Sequence, residues 1–193
     1  MRPCNRYGFT LMEVLIAVLV MALGVVGGSA MQLTAMRTRH QSALLSRSMQ
    51  LASSLADQMR ANPQQMRQPD AANGYTRLNY DALGEPDPAP PAVLCLGPGE
   101  RCDSAALALV DLYQLKLQVR DGLPGGRALV CRDQSPWSGG ALRWACSGGA
   151  GAPLVVKVGW HGKNPDGTPL RDDSGVFQPG VALAVDAGPG PAP

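Results

Sequence analysis

Residues 9–36 form a long apolar run in which Glu13 is the only ionised side chain. Within it, residues 14–31 (VLIAVLVMALGVVGGSAM) hold neither charge nor proline over eighteen positions. That is close to the length a helix needs to cross a hydrocarbon core. After this run the pattern changes rather than stops. Leu44, Leu45, Met49, Leu51, Ala52, Leu55, Ala56 and Met59 recur at helical spacing, while Arg47, Gln50, Asp57, Gln58 and Arg60 take the other face. Asn62 before Pro63 marks a stop, because the residue preceding proline is pushed out of helical geometry. The spacing predicts one helix over about 9–62, apolar in its first half and amphipathic in its second. Core packing against a globular head explains the amphipathic stripe better than a partner-binding face does.

Beyond this helix the pattern weakens. Residues 64–103 read as irregular chain, with a run at 85–91 (EPDPAPP) that favours extended backbone and cannot sit inside a sheet. Residues 103–119 carry two signals. Ala106, Leu109, Val110, Tyr113 and Leu117 fit a helix capped by Asp103 or Ser104. Residues 114–120 also alternate strictly, the strand pattern, and periodicity alone leaves both open. Leu123, Pro124, Gly125 and Gly126 spell a turn. Three strand-like pieces follow at 127–132, 141–146 and 154–160, separated by Gly, Ser and Pro, which predicts an antiparallel meander followed by an irregular C-terminal tail.

Composition sharpens this picture. The 193 residues suit one modest domain plus an extension. Hydrophobic residues make up 45%, but the N-terminal run takes much of that share, so the remainder has only a moderate core. Aromatics at 5%, with 23 Gly and 17 Pro, point to a small, loop-rich head. A formal charge of +2 is too small to imply a nucleic-acid binder. Five cysteines are present, Cys4, Cys95, Cys102, Cys131 and Cys146, and no CxxC spacing suggests a zinc ribbon or redox site. The last four permit three pairings. Cys95–Cys102 and Cys131–Cys146 are preferred because both are local: one closes a turn-rich loop, the other staples two strand-like pieces.

Candidate chemistry is sparse. His40 and His161 lie in no recognisable catalytic motif, and no phosphate loop, HExxH or dinucleotide fingerprint occurs. Neither catalytic residues, nor a metal site, nor a cofactor is expected. Asn164, Asp166, Gly167, Asp172 and Asp173 lack the regular oxygen spacing of a calcium loop, and a plain turn explains them better. Arg37, Arg39 and His40 flank the apolar run and suit lipid headgroups.

The apolar run itself admits a secretory signal peptide or a single-pass anchor. It exceeds an ordinary signal h-region and carries a carboxylate near its start, which favours the anchor. Arg2 and Arg6 before it nearly balance Arg37, Arg39 and His40 after it, so charge alone does not orient it. A carboxylate at the edge of a membrane span marks a functional position. Gly24, Gly27 and Gly28 fit either close helix packing or ordinary membrane-helix composition.

The string Gly8, Phe9, Thr10, Leu11, Met12, Glu13, after a short basic leader and before an unbroken apolar helix, resembles the prepilin signature of type IV pilin-like proteins. The resemblance implies that a membrane aspartic peptidase cuts between Gly8 and Phe9 on the cytoplasmic side and N-methylates Phe9. It implies removal of residues 1–8, Cys4 included, and a role for Glu13 in docking subunits during assembly. Downstream, Leu123, Pro124, Gly125 and Gly126, then Val155, Val156, Val158 and Trp160, resemble the PilV subgroup of minor pilins, on which ground 103–120 is expected to be helical. The chain departs from that subgroup where its helix tryptophan would fall, near Tyr113, and in the proline-rich loop.

The expected fold is α+β and pilin-like: a long N-terminal helix, transmembrane in its first half, packed against a small antiparallel meander in a disulfide-stapled, loop-rich head. The expected divisions are a leader at 1–8, a transmembrane and assembly helix at 9–36, its amphipathic continuation at 37–62 and a periplasmic head at 63–193. The implied partners are other minor pilins and the major pilin through the helix, the prepilin peptidase and the bacterial inner membrane, with no nucleic acid. A minor pilin in a priming or tip complex is the leading function. A minor pseudopilin of a type II secretion system shares the motif; a tip adhesin or DNA-binding pilin is a different class, and an anchored enzyme ranks last.

Overall fold

The computed structural model describes residues 8, 10–95, 97, 102–149, 151–164, 166–172 and 175–185. By internal contacts the chain divides into two units, residues 1–40 and 41–193. The first helix, α1, runs over Leu11–Ala61. Among the described residues up to 40 it buries no side chain: from Leu11 to Met36 every large apolar side chain is at least half exposed. Its later turns behave differently, burying Leu44, Leu51, Ala52, Leu55, Ala56 and Met59 at the spacing of one helical face. Ser48 lies on the same face and satisfies its hydroxyl on the Leu44 carbonyl at 2.8 Å.

The helix ends one residue before Asn62, and Pro63 opens the single turn α2 (Pro63–Met66). Asn62 is buried because its amide ties the break to two distant segments. Its Nδ2 donates to the Ser104 carbonyl at 2.7 Å and to the Tyr75 hydroxyl at 3.2 Å. Tyr75, in a short 3₁₀ turn over Gly74–Arg77, donates in turn to Asp111 Oδ2 at 2.6 Å. Burial raises both the Tyr75 hydroxyl and the Asp111 carboxyl above their ordinary pKa values; their mutual bond raises the first further and partly offsets the second. We expect Tyr75→Phe to lower the stability of the head by about 1–3 kcal/mol in denaturant unfolding, because Asp111 and Asn62 would each lose a partner.

Helix α3 spans Ser104–Gly122. Asp103 caps it by accepting from the Ala106 amide at 2.7 Å. The helical alternative prevails because Ala108, Leu112, Leu115 and Val119 all reach the core cluster with α1. The turn that follows depends on its glycines. Gly125 has φ +56°, a left-handed conformation, and a Cβ there would sit 2.7 Å from the His161 ring. At Gly126 a Cβ would stand 2.6 Å from the Val119 carbonyl oxygen.

Six strands follow or precede α3: β1 (Asn79–Asp81), β2 (Arg127–Arg132), β3 (Trp137–Ser138), β4 (Ala141–Leu142), β5 (Leu154–Gly159) and β6 (Pro179–Val185). The main sheet has the order β1-β2-β5-β6, with every neighbour antiparallel, and β3-β4 form a separate hairpin. The fold is therefore α+β and pilin-like, with a small antiparallel sheet and two disulfides. Cys95 is joined to Cys102 and Cys131 to Cys146. Serine at both Cys131 and Cys146 is expected to cost about 3 kcal/mol of stability, the closure entropy of a loop of about fifteen residues, read as a fall in unfolding midpoint.

Three strand expectations need correction. Of the piece expected at 141–146, only Ala141–Leu142 is a strand, and it pairs with Trp137–Ser138 outside the main sheet. The reason lies in its backbone. The carbonyls of Arg143, Trp144 and Ala145 turn towards Lys157 Nζ, at 2.7, 3.4 and 2.8 Å, instead of towards a neighbouring strand. The chain at 64–103 is not wholly irregular either, since it contributes the 3₁₀ turn and β1. The C-terminal tail also contains a strand: β6 pairs with β5 from Val185 opposite Leu154 to Pro179 opposite Gly159, with a bulge at Val158 and Gly159.

Strand β5 explains how the layers meet, because all six of its residues are buried. Leu154, Val156 and Val158 join the core cluster shared with α1 and α3. Val155 and Lys157 alternate to the opposite face, where the carbonyls of Arg143, Trp144 and Ala145 close over Lys157. A strand covered on both faces has no polar side to spare, and Lys157 is charged nonetheless.

Candidate functional site

The N-terminal site is built around the first turn of α1. Gly8 and Thr10 precede the helix, and Phe9 and residues 1–7 lie outside the described residues, so the expected cut site is described only on its Gly8 side. The Glu13 amide donates to the Thr10 carbonyl at 3.1 Å and to Thr10 Oγ1 at 3.3 Å. Thr10 thereby caps the helix, and the sequence already carries this signal as a Thr-x-x-Glu box. The cap places Glu13 in the first turn, exposed, where a helix N-terminus favours a carboxylate. Among the described residues nothing pairs with that carboxylate.

The helix surface that follows is incompatible with water. Leu11 is 82% exposed and Met31 78%. Fully burying a side chain of this kind is worth about 1.5–3 kcal/mol, so the whole run leaves tens of kcal/mol, in order of magnitude, to be gained from an apolar surrounding. Its hydroxyls need no outside partner: Ser29 donates to the Val25 carbonyl at 2.8 Å and Thr38 to the Thr34 carbonyl at 3.0 Å. At Gly24, Gly27 and Gly28 a Cβ would meet nothing within 4 Å, so within the chain no packing demands glycine there. Among the described residues α1 is the one helix long and apolar enough to cross a membrane.

The head holds two polar clusters that the sequence does not announce. The first is a buried ion pair. Lys157 Nζ lies 2.5 Å from Asp133 Oδ2, and both side chains are fully buried. The Ser147 hydroxyl and the amides of Ser135 and Ser147 donate to Asp133 Oδ1 at 2.6, 3.0 and 3.3 Å. Burial would raise the Asp133 carboxyl, but Lys157, Ser147 and the two amides outweigh it and hold its pKa down to about 2. The pair works as a structural rivet for the stretch from Asp133 to Ser147, beside Cys131–Cys146.

The second cluster lies at the end of the sheet where β2 begins and β5 ends. His161 is not a simple surface residue. It is half-buried and stacks on Phe177 at 3.8 Å, with Gly125 on its own ring. Arg171 lies over Phe177 at 4.3 Å and Arg127 over the Trp144 ring at 4.4 Å. The Trp144 indole donates to the Phe177 backbone carbonyl at 2.7 Å, which fixes the indole. Among the described residues lining this group, none is a serine, threonine or cysteine that could serve as a nucleophile beside His161. The acidic turn expected at Asn164 and Asp166 is an ordinary one, with the Thr168 amide and hydroxyl bonded to Asp166 Oδ1 at 2.8 and 2.6 Å; Asp173 lies outside the described residues. No cluster of metal-ligating side chains occurs among the described residues.

Residues 4–29 match the family described as the prokaryotic N-terminal methylation motif. The match ends inside the apolar helix and leaves the head uncovered. No curated protein matches the chain, and no solved structure does. The motif supports a type IV pilin-like family and a role of the pilin or pseudopilin type. It implies handling by a prepilin peptidase and assembly with other pilins, and with the exposed apolar helix it suggests membrane anchoring.

Proposed function

We propose that this chain is a minor pilin of the PilV type, which enters a priming or tip complex and helps start assembly of a type IV pilus. One observation carries the reading: a methylation motif whose Gly8 precedes, and whose Glu13 opens, an apolar helical stretch in which every large side chain from Leu11 to Met36 is exposed. Cutting after Gly8 frees an amine on Phe9, a helical turn from Glu13 in sequence. In a bundle of such helices the amine of one subunit neutralises Glu13 of the next. The chain waits in the bacterial inner membrane with its head in the periplasm, where disulfides persist. The glycine turn after α3 and the β5 strand ending beside Trp160 support the PilV assignment over other minor pilins. No catalytic role is assigned.

Mass spectrometry of the membrane-extracted protein tests the class. A mature N-terminus at methylated Phe9 is expected; a chain beginning at Met1 or near Met31 would overturn it. Deleting the gene separates the roles. Loss of surface pili and twitching fits the minor pilin, whereas exoproteins trapped in the periplasm would assign a pseudopilin instead.

A further inference from the structure

The cluster at the Arg127 end of the sheet borders a cleft of about 240 Å³. Two guanidinium groups and an imidazole line it: Arg127 from β2, His161 after β5, and Arg171 from the loop before β6. Trp144, Trp160 and Phe177 supply apolar walls. The cleft is smaller than the pockets that take drug-sized ligands, so it suits a compact group.

Arg127 is the most telling residue. Its ring contact with Trp144 and a long bond from Nη2 to Asn79 Oδ1, 3.4 Å, hold it in place. Its Nε is buried and has no acceptor among the described residues. An unmet charged donor is costly, but that nitrogen is shielded from solvent, so only the outer guanidinium nitrogens of Arg127 can meet an anion in the cleft. Arg171 is similarly pre-positioned, with Nη1 on the Gly175 carbonyl at 2.8 Å and its plane on Phe177. Asp81 also lines the cleft and opposes an anion, but its Oδ1 already accepts from the Leu83 amide at 3.0 Å.

We propose that this cleft binds a phosphate group through Arg127, Arg171 and His161. Two guanidinium groups and an imidazole offer more donors than a carboxylate can use, since one guanidinium fork would saturate it, and a phosphate has oxygens for the rest. The phosphate has two possible sources, a lipid headgroup or a soluble phosphate ester. Gln41 bears on the first. It accepts from the Trp160 indole and the Lys163 amide, each at 3.4 Å, and directly follows the basic stretch Arg37, Arg39 and His40 in sequence.

The test uses the full chain in a phosphate-free non-ionic detergent, with tryptophan emission followed during titration with inorganic phosphate. A saturable change is expected beyond that caused by sodium chloride or acetate at equal ionic strength. Arg171→Gln, an exposed position that should leave the thermal midpoint unchanged, is expected to weaken binding tenfold or more. Arg127→Gln should do the same and Asp81→Asn should tighten it. No saturable phosphate response, an equal response to acetate, or unchanged binding in Arg171→Gln would overturn the proposal. Glycerol 1-phosphate and dihexanoyl phosphatidylglycerol then separate the sources. A tenfold preference for the lipid that disappears in Arg171→Gln assigns a headgroup; equal binding of the two assigns a soluble ester, and both support the cleft.

Discussion

Lys157→Ala is expected to lower the stability of the head by about 3–5 kcal/mol, because it leaves the Asp133 carboxylate buried without its counter-charge. It also strands the carbonyls of Arg143, Trp144 and Ala145, which Nζ holds together. Thermal and denaturant unfolding of the oxidised protein would show the loss, and a change below about 1 kcal/mol would refute the role assigned to the pair. Replacing both partners with apolar residues, Lys157→Met with Asp133→Leu, should recover most of the loss, since neither charge then remains to be desolvated. Acid should act on the same element. The Asp133 carboxyl is depressed from 3.8 to about 2 in the folded state, so the unfolded chain takes up its proton first. The stability contributed by the group is complete above about pH 4 and is lost as pH falls through about 2. Asp133→Asn is expected to flatten that acid limb.

Glu13→Val is expected to abolish incorporation into filaments while leaving membrane insertion and cleavage after Gly8 intact. Valine makes the span more apolar, so anchoring does not suffer. What disappears is the carboxylate, which nothing within the described chain pairs and which the proposed neighbour's Phe9 amine requires. Immunoblots of sheared surface filaments and of washed membranes would show the variant in the second fraction and not in the first. Equal amounts of Glu13→Val and parent chain in filaments would sink the pairing. Glu13→Asp should restore part of the incorporation, since it keeps the charge at a shorter reach.

The N-terminal half of this molecule was legible because its signals are local. Chain length without charge marks the span, and Asn62 before Pro63 marks the helix end within a residue. The alternation of Val181, Leu183 and Val185 also carries a strand signal, but it is short and set among Gly and Pro. Strand β1 is only three residues and has no pattern of its own; it forms because β2 offers a free edge to Asn79, Tyr80 and Asp81. Residues 103–119 satisfied two periodicities at once, and the contacts of Ala108, Leu112, Leu115 and Val119 with α1 decided for the helix.

Lys157 shows most clearly where sequence reasoning ends. In the run Val155, Val156, Lys157, Val158 it reads as the solvent-facing member of an amphipathic strand. Instead the segment 143–147, returning under the Cys131–Cys146 bridge, closes over it and supplies three carbonyls and a route to Asp133. The cleft has the same origin, since Arg127, His161 and Arg171 are far apart in sequence and line it together only because β5 pairs with β2 on one side and with β6 on the other. The sequence by itself determined the apolar span, the methylation motif and the amphipathic spine, since each rests on neighbours within one or two helical turns. Which charges are buried, which strands pair and which basic groups converge was decided only by the tertiary structure, because burial and electrostatics depend on groups that the chain brings together from far apart.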